Sequence, residues 1–243
     1  MFRSAIFSLT VLAVLALASG ANAQGLEALE GLDGSLADRG IQLFLLITVL
    51  SLAPGLAIMI TCFPFIVTVL AILRQAIGLQ QSPPNMLIVS LALFLTWFVM
   101  DPVFQAAWTA GGAPYSQGLI DIQSAVARAA EPFRGFMMAR TDPETLAALS
   151  DLRPEGAEPT ENGPAFALLI PSFMLSELAR AFEIGFLIYL PFLIIDLVVA
   201  AILMSMGMMM VPPAVVSLPF KLAFFVVADG WQLISEALVR SYG

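Results

Sequence analysis

The 243-residue sequence contains no histidine and one cysteine, Cys62. Without an imidazole there is no His-ligated zinc, no H-E-x-x-H metalloprotease helix, and no Ser-His-Asp or Cys-His nucleophile. A single thiol forms neither an intramolecular disulfide nor a thiolate metal cluster, and it says nothing about redox compartment. Charge is scarce too: 12% of residues are Asp, Glu, Lys or Arg, where roughly 25% is usual in a soluble domain. Ten Lys and Arg against 18 Asp and Glu give a net charge of −8. The basic footprint that phosphate neutralisation needs is missing, which makes nucleic acid a poor partner. There is no G-x-S-x-G and no pair of catalytic aspartates. No enzyme activity, metal or cofactor is expected.

What remains is apolar. Hydrophobic residues make up 60% of the chain, which places it in the membrane class. At the N-terminus Arg3 provides a positive start. Ala5 to Ala18 is an apolar run broken only by Ser8 and Thr10, and Ala21-Asn22-Ala23 has the small-x-small form of a cleavage site. This pattern predicts a signal peptide over 1–23, cut between Ala23 and Gln24. A retained first membrane helix is the competing reading, weakened because a span needs about 20 apolar residues. Cleavage leaves 243 − 23 = 220 residues with a net charge of −9, since Arg3 departs with the leader.

The expected fold class is an all-α membrane protein. Two apolar helical hairpins flank an acidic external, periplasmic helical segment, after the signal peptide. Residues 24–40 form an acidic flexible lead-in. The first hairpin covers 41–100: a helix, a break at Pro54-Gly55 and Pro64, a second helix ending near Arg74, a turn over 75–85, and a returning helix from Met86 to Met100 stopped by Asp101-Pro102. The 101–163 segment holds nine acids against four arginines. In it Ile120 to Met138 has helical spacing, and Thr141 to Pro164 reads as a loop with one short helical turn. Residues 164–243 form the second hairpin, turning at Val211-Pro212-Pro213, with a return over Ala214 to Ala228 and a polar end. The positive-inside rule is compatible with external 24–40 and 101–163 but does not decide the orientation. Pro64-Phe65, Gly78 and Pro83-Pro84 can be set beside Pro191-Phe192, Gly207 and Pro212-Pro213 as a possible internal repeat, or simply as the Gly and Pro punctuation of any membrane hairpin.

Six charges interrupt the second apolar region: Glu177, Arg180, Glu183, Asp196, Lys221 and Asp229. On an insertion scale each costs roughly 2.5–3.5 kcal/mol at mid-bilayer, and a Leu, Ile, Phe or Val returns only about 0.3–0.6. They cannot all face lipid. Glu177, Arg180 and Glu183 are three apart and share a helix face. With a turn centred between Met208 and Met209, Asp196 and Lys221 lie at one level across the hairpin. An Asp196–Lys221 ion pair satisfies both. Lys221 paired with Glu177 of a neighbouring copy, and Asp196 as a proton carrier, are the alternatives. At the tip, Met204 to Met210 holds five methionines in seven residues. Thioethers fill irregular gaps, so this run reads either as packing or as a pliable pore gasket.

The run IGFLIYLPFLIIDLVVAAILMSMGMMMVPP from Ile184 to Pro213, SLPFKL from Ser217 to Leu222 and VADGWQL from Val227 to Leu233 closely resemble the FliP family of flagellar type III export-gate proteins. So do LRQAIGLQQSPPN from Leu73 to Asn85, LALFL from Leu91 to Leu95, EPFRGF from Glu131 to Phe136 and Ser176-Glu177-Leu178. The resemblance runs from about Ile41 to Tyr242. Virulence type III relatives typically lack a cleaved signal peptide, so the flagellar branch fits better. One departure stands out: the family's Ser-Phe-Thr-Arg-like run is Cys62-Phe63-Pro64-Phe65 here, which lacks the arginine.

The resemblance implies a structural, pore-forming subunit of the export gate in the inner membrane at the flagellar basal body. Such subunits form a homo-oligomer, a pentamer, with FliQ and FliR, beside FlhA and FlhB, with FliO aiding assembly and unfolded flagellar proteins as the cargo. It implies that Met208, Met209 and Met210 form the gasket with Met206 behind them, and that Glu177, Arg180, Glu183, Asp196 and Lys221 face protein after assembly. The alternative from another class is a solitary proton-coupled small-solute transporter with Asp196 as its coupling site.

Overall fold

The computed structural model describes residues 57–78, 83–152, 163–208 and 210–242, with residues 40, 41, 43–45, 47, 48, 51 and 55 before them. The signal peptide with its Ala23–Gln24 cleavage site, the lead-in through residue 39, and Met209 lie outside the described residues. Contacts divide the chain into Met1–Pro54 and Gly55–Gly243. In the first unit the described residues are helical, and the hydroxyls of Thr48 and Ser51 donate to the carbonyls of Phe44 and Ile47, four residues back.

The second unit is built of helices joined by short turns, with no strand among its described residues. Its elements are α1 (Phe63–Ile77), α2 (Asn85–Ala107), a π-turn (Trp108–Gly112), α3 (Ala113–Ser116), α4 (Ile122–Arg140), α5 (Pro143–Asp151), α6 (Phe166–Ser205), α7 (Pro213–Val227) and α8 (Gly230–Arg240). Two stretches are long and apolar enough to cross a membrane, Asn85–Ser116 with 32 residues and Phe166–Ser205 with 40; α7 and α8, bent by 61°, together make a third candidate.

At the centre is α1, itself too short for a span at 15 residues. Pro64 sits in its first turn, where the missing N–H is no loss. Phe65, Ile66, Val69, Leu70 and Leu73 are wholly buried between α2 and α6. The helix ends at Gly78, whose φ of 89° is a left-handed cap. Gly207 plays the same part after α6 with φ 72°, and the return helices α2 and α7 are each capped by a proline, Pro84 and Pro212. The two hairpins therefore share their turn chemistry. They differ in that Pro64 opens a helix whereas Pro191 lies inside one.

Three expectations are corrected. The helix expected to stop at Asp101-Pro102 continues through it to Ala107 and, by the π-turn, to Ser116. Proline inside a helix removes one donor but keeps a helical φ, and Gln105 donates to Asp101 at 2.7 Å across that point. Pro132, Pro171, Pro191 and Pro219 are carried within helices in the same way. The single helical turn expected after Thr141 is a nine-residue helix, α5, and its signal was present: Asp142 caps Thr145 and Pro143 opens the first turn. The polar end is α8, whose Ile234 and Leu238 face the core.

The described part of the acidic segment through residue 152 is folded onto the apolar helices. Its α4 packs on α2 and α6, burying Arg134 and Met137. Asp121 caps α4 and Asp142 caps α5; the hydroxyls of Ser124 and Thr145 hold the two carboxyls below the usual range. Close approach depends on glycine: a Cβ at Gly111 would lie 2.3 Å from the carbonyl of Ala125 and 2.8 Å from the Cβ of Ala129, and one at Gly185 would lie 2.4 Å from Ile72.

Gly111→Ala must push α4 off the π-turn, because the obstructing atoms are backbone. The expected loss is about 1–3 kcal/mol. Gly135→Ala, on α4 with nothing within 4 Å, gains up to about 1 kcal/mol of helix propensity. Thermal denaturation in detergent checks this; equal melting temperatures for the two variants would contradict the packing described.

Candidate functional site

The α6–α7 hairpin brings most of the interrupting charges and the methionine loop into one element. Helix α6 closes with Met208 N donating to Leu203 O at 2.9 Å and Gly207 N to Met204 O at 3.0 Å, a Schellman-like end that Gly207 permits. The loop then passes Met210 to Pro212. Its methionines do not pack into the core: Met206 is 66% exposed, Met208 42% and Met210 98%. Below the loop an open apolar groove of about 510 Å³ lies between the two helices, lined by Ile195, Val199, Ile202, Met206, Met208 and Val216 among others.

One hairpin level below the loop, Lys221 and Asp196 meet, with Nζ 2.6 Å from Oδ2. Ser217, one helical turn before Lys221, donates to the other carboxylate oxygen at 2.6 Å. Lys221 also donates to the carbonyl of Ala76 at 3.1 Å. That carbonyl lies in the last turn of α1, at the negative end of the helix dipole. Lys221 thus neutralises a carboxylate of its own hairpin and caps the central helix. It is the deeper partner, 7% exposed against 30% for Asp196.

A second cluster lies farther down α6. Glu177 is fully buried, with Arg140 Nε 3.0 Å from Oε1 and the Tyr242 hydroxyl donating to Oε2. Arg180 Nη1 is 3.8 Å from Oε1. Arg140 also donates to the carbonyl of Ser241 at 2.6 Å and its guanidinium sits 4.1 Å over the Tyr242 ring. The cluster ties α4, α6 and the chain end together. Glu183 and Asp229 are exposed and have no ion-pair partner among the described residues; Asp229 adopts φ 48° at the α7–α8 bend. Among those residues no three carboxylate or thiol groups converge as a metal site.

Arg140 and Tyr242 escaped the sequence reading because they lie 37 and 65 residues from Glu177, and no periodicity links them. Ser217 was accessible, four residues before Lys221 on the same helix face.

Removing one member of a buried pair leaves the other uncompensated, at about 3–5 kcal/mol. Lys221→Glu should therefore abolish a stably folded, membrane-extracted protein. Asp196→Lys in the same chain should restore it and Glu177→Lys should not; yield and melting temperature after detergent extraction report the outcome. Rescue by Glu177→Lys alone would contradict the in-chain pair.

The FliP family model matches residues 46–238. The flagellar biosynthetic protein FliP of Agrobacterium fabrum is 52% identical over 212 residues, 86% of each chain. That of Rhizobium meliloti is 46% identical over 244 residues and the whole of both chains. That of Bacillus subtilis is 43% identical over 202 residues, 83% of this chain and 91% of its own. A family match over most of the chain and relatives 43–52% identical over more than four-fifths of it mean that the chain belongs to the FliP family, structural components of the flagellar export apparatus rather than enzymes.

Proposed function

We propose that this protein is a pore-forming subunit of the flagellar type III export gate, through which unfolded flagellar proteins cross the inner membrane. Residues 1–23 are removed on export, 24–40 lead in, 101–163 lie on the periplasmic side, and 41–100 and 164–243 supply the two hairpins. Several copies, five in the family pattern, assemble with FliQ and FliR beside FlhA and FlhB, with FliO assisting. The gate contributes no chemistry of its own; other components supply the energy.

The observation that carries this reading is the length of α6. Forty residues at 1.5 Å make about 60 Å, twice the roughly 30 Å of a bilayer core. Large apolar side chains stay exposed along both halves: Leu175, Leu178 and Phe182 in the first, Leu193, Leu197 and Ile202 in the second. Only 17% of its most apolar window is buried within the chain. Lipid can cover one half, so protein must cover the other. This favours a subunit whose hairpins stand partly out of the bilayer against other subunits, and it disfavours a solitary transporter. Asp196 adds to that, because Lys221 and Ser217 already occupy its two oxygens.

The exposed Met206, Met208 and Met210, with Met209 between them, are what a gasket requires: unbranched, polarizable side chains free to mould around a passing chain. Replacing Met208, Met209 and Met210 together by alanine should raise ion leak through gates in intact cells at least severalfold while subunit assembly stays normal. Membrane conductance or ion-sensitive growth reads the result, and an unchanged leak in an assembled gate would contradict the gasket.

A further inference from the structure

Four of the six charges in the second apolar region are paired within the chain, and Glu183 and Asp229 are left over. Among the described residues, the cations Arg74 and Arg128 have no carboxylate within ion-pair distance. Arg128 is exposed on α4 within the acidic segment, where water serves it. Arg74 is different. It is half-buried near the tip of the first hairpin, and among the described residues its only polar partner is the neutral side chain of Asn85.

The helices carrying Arg74 and Glu183 are parallel neighbours. Phe65 lies near Arg140, which binds Glu177; Ile72 abuts Gly185; and Ala76 reaches Lys221 beside Asp196. Both sequences of contacts ascend together, so α1 and α6 run in the same direction. Ile72 and Gly185 mark the line where they touch. Arg74 is two residues after that point on α1 and Glu183 two residues before it on α6. At about 100° per residue each charge is turned roughly 200° away from the contact, and the two lie within about 6 Å of one level along the axes. Arg74 thus points out of one edge of the α1–α6 pair and Glu183 out of the opposite edge, in opposite rotational senses. Within one chain they do not meet.

Opposite charges on opposite edges at one level are what a heterologous, head-to-tail contact between identical subunits needs. We propose that Arg74 of one copy pairs with Glu183 of the next, so that a second copy of this chain is the partner for both edges. The N-terminus of α2 supports this: Pro84 offers no side-chain cap, leaving the positive end of the helix dipole beside Arg74. On the other edge, Phe186 and Leu187 flank Glu183 with exposed apolar surface, while Phe182 faces the groove that Arg74 also lines. A neighbouring subunit would cover that surface together with the charge. The inference rests on the multi-copy reading above and adds its contact.

Two tagged full-length chains, one Arg74→Cys and one Glu183→Cys, co-expressed with the neighbouring gate genes, test it by thiol cross-linking in native membranes. Cys62 is fully buried and the unsubstituted chain serves as its control. A species carrying both tags should form at least tenfold above either variant alone, and a single chain bearing both cysteines should give a ladder of multimers. As an independent measure, Arg74→Glu should lower recovery of the multi-copy particle at least fivefold, and Glu183→Arg in the same chain should restore it. A multi-copy particle with no joint species, or one joined through Asp229→Cys instead, overturns the Arg74–Glu183 contact and leaves the gate reading standing. A cross-link confined within one chain also overturns it. A particle holding one copy overturns the gate reading itself.

Discussion

The ammonium of Lys221 is the point on which the two hairpins depend. It is bound at once to a carboxylate on α6 and to a carbonyl in the last turn of α1. An apolar chain in lipid has no water to satisfy either group, and each would be costly if left alone. Pairing them on one lysine fixes the depth of α7 against α6 and of the first hairpin against the second. The methionine loop is held one hairpin arm above that anchor, so its height relative to α1 follows from a single buried contact.

The Glu177 cluster does the corresponding task at the other end of α6. Its partners come from α4 and from the chain end, elements that are otherwise the most polar in the molecule. Between the two anchors α6 runs about 28 Å, close to the thickness of a bilayer core, with its outer face uncovered. Inside the chain the described buried polar side-chain atoms are paired apart from Thr96 Oγ1 and Arg140 Nη2, whereas on the outside a large apolar surface is left uncovered. That asymmetry is the physical signature of a subunit: the interior is finished by folding, the exterior by assembly.

Much of this was legible in the sequence. The apolar blocks, the Gly and Pro punctuation of both turns, and the level of Asp196 with Lys221 follow from counting residues along a hairpin. Proline misled at position 102, because a helix interior tolerates the loss of one hydrogen bond when its surroundings already hold it. The break at Asp101-Pro102 looked like a boundary and is a continuous helix. Arg140, Tyr242 and the Ala76 carbonyl were not legible, since contacts between residues 37 to 145 positions apart leave no periodic trace. The methionine loop's composition was plain, but its exposure was not: such thioethers would suit a core, and the fold leaves the described ones, Met204, Met206, Met208 and Met210, uncovered.

The most direct measurement is native mass spectrometry of the tagged chain, expressed with its neighbouring membrane genes and extracted in mild detergent. The account predicts a particle with several copies of residues 24–243 and two other small membrane proteins. A full-length monomer or dimer without partners would contradict it.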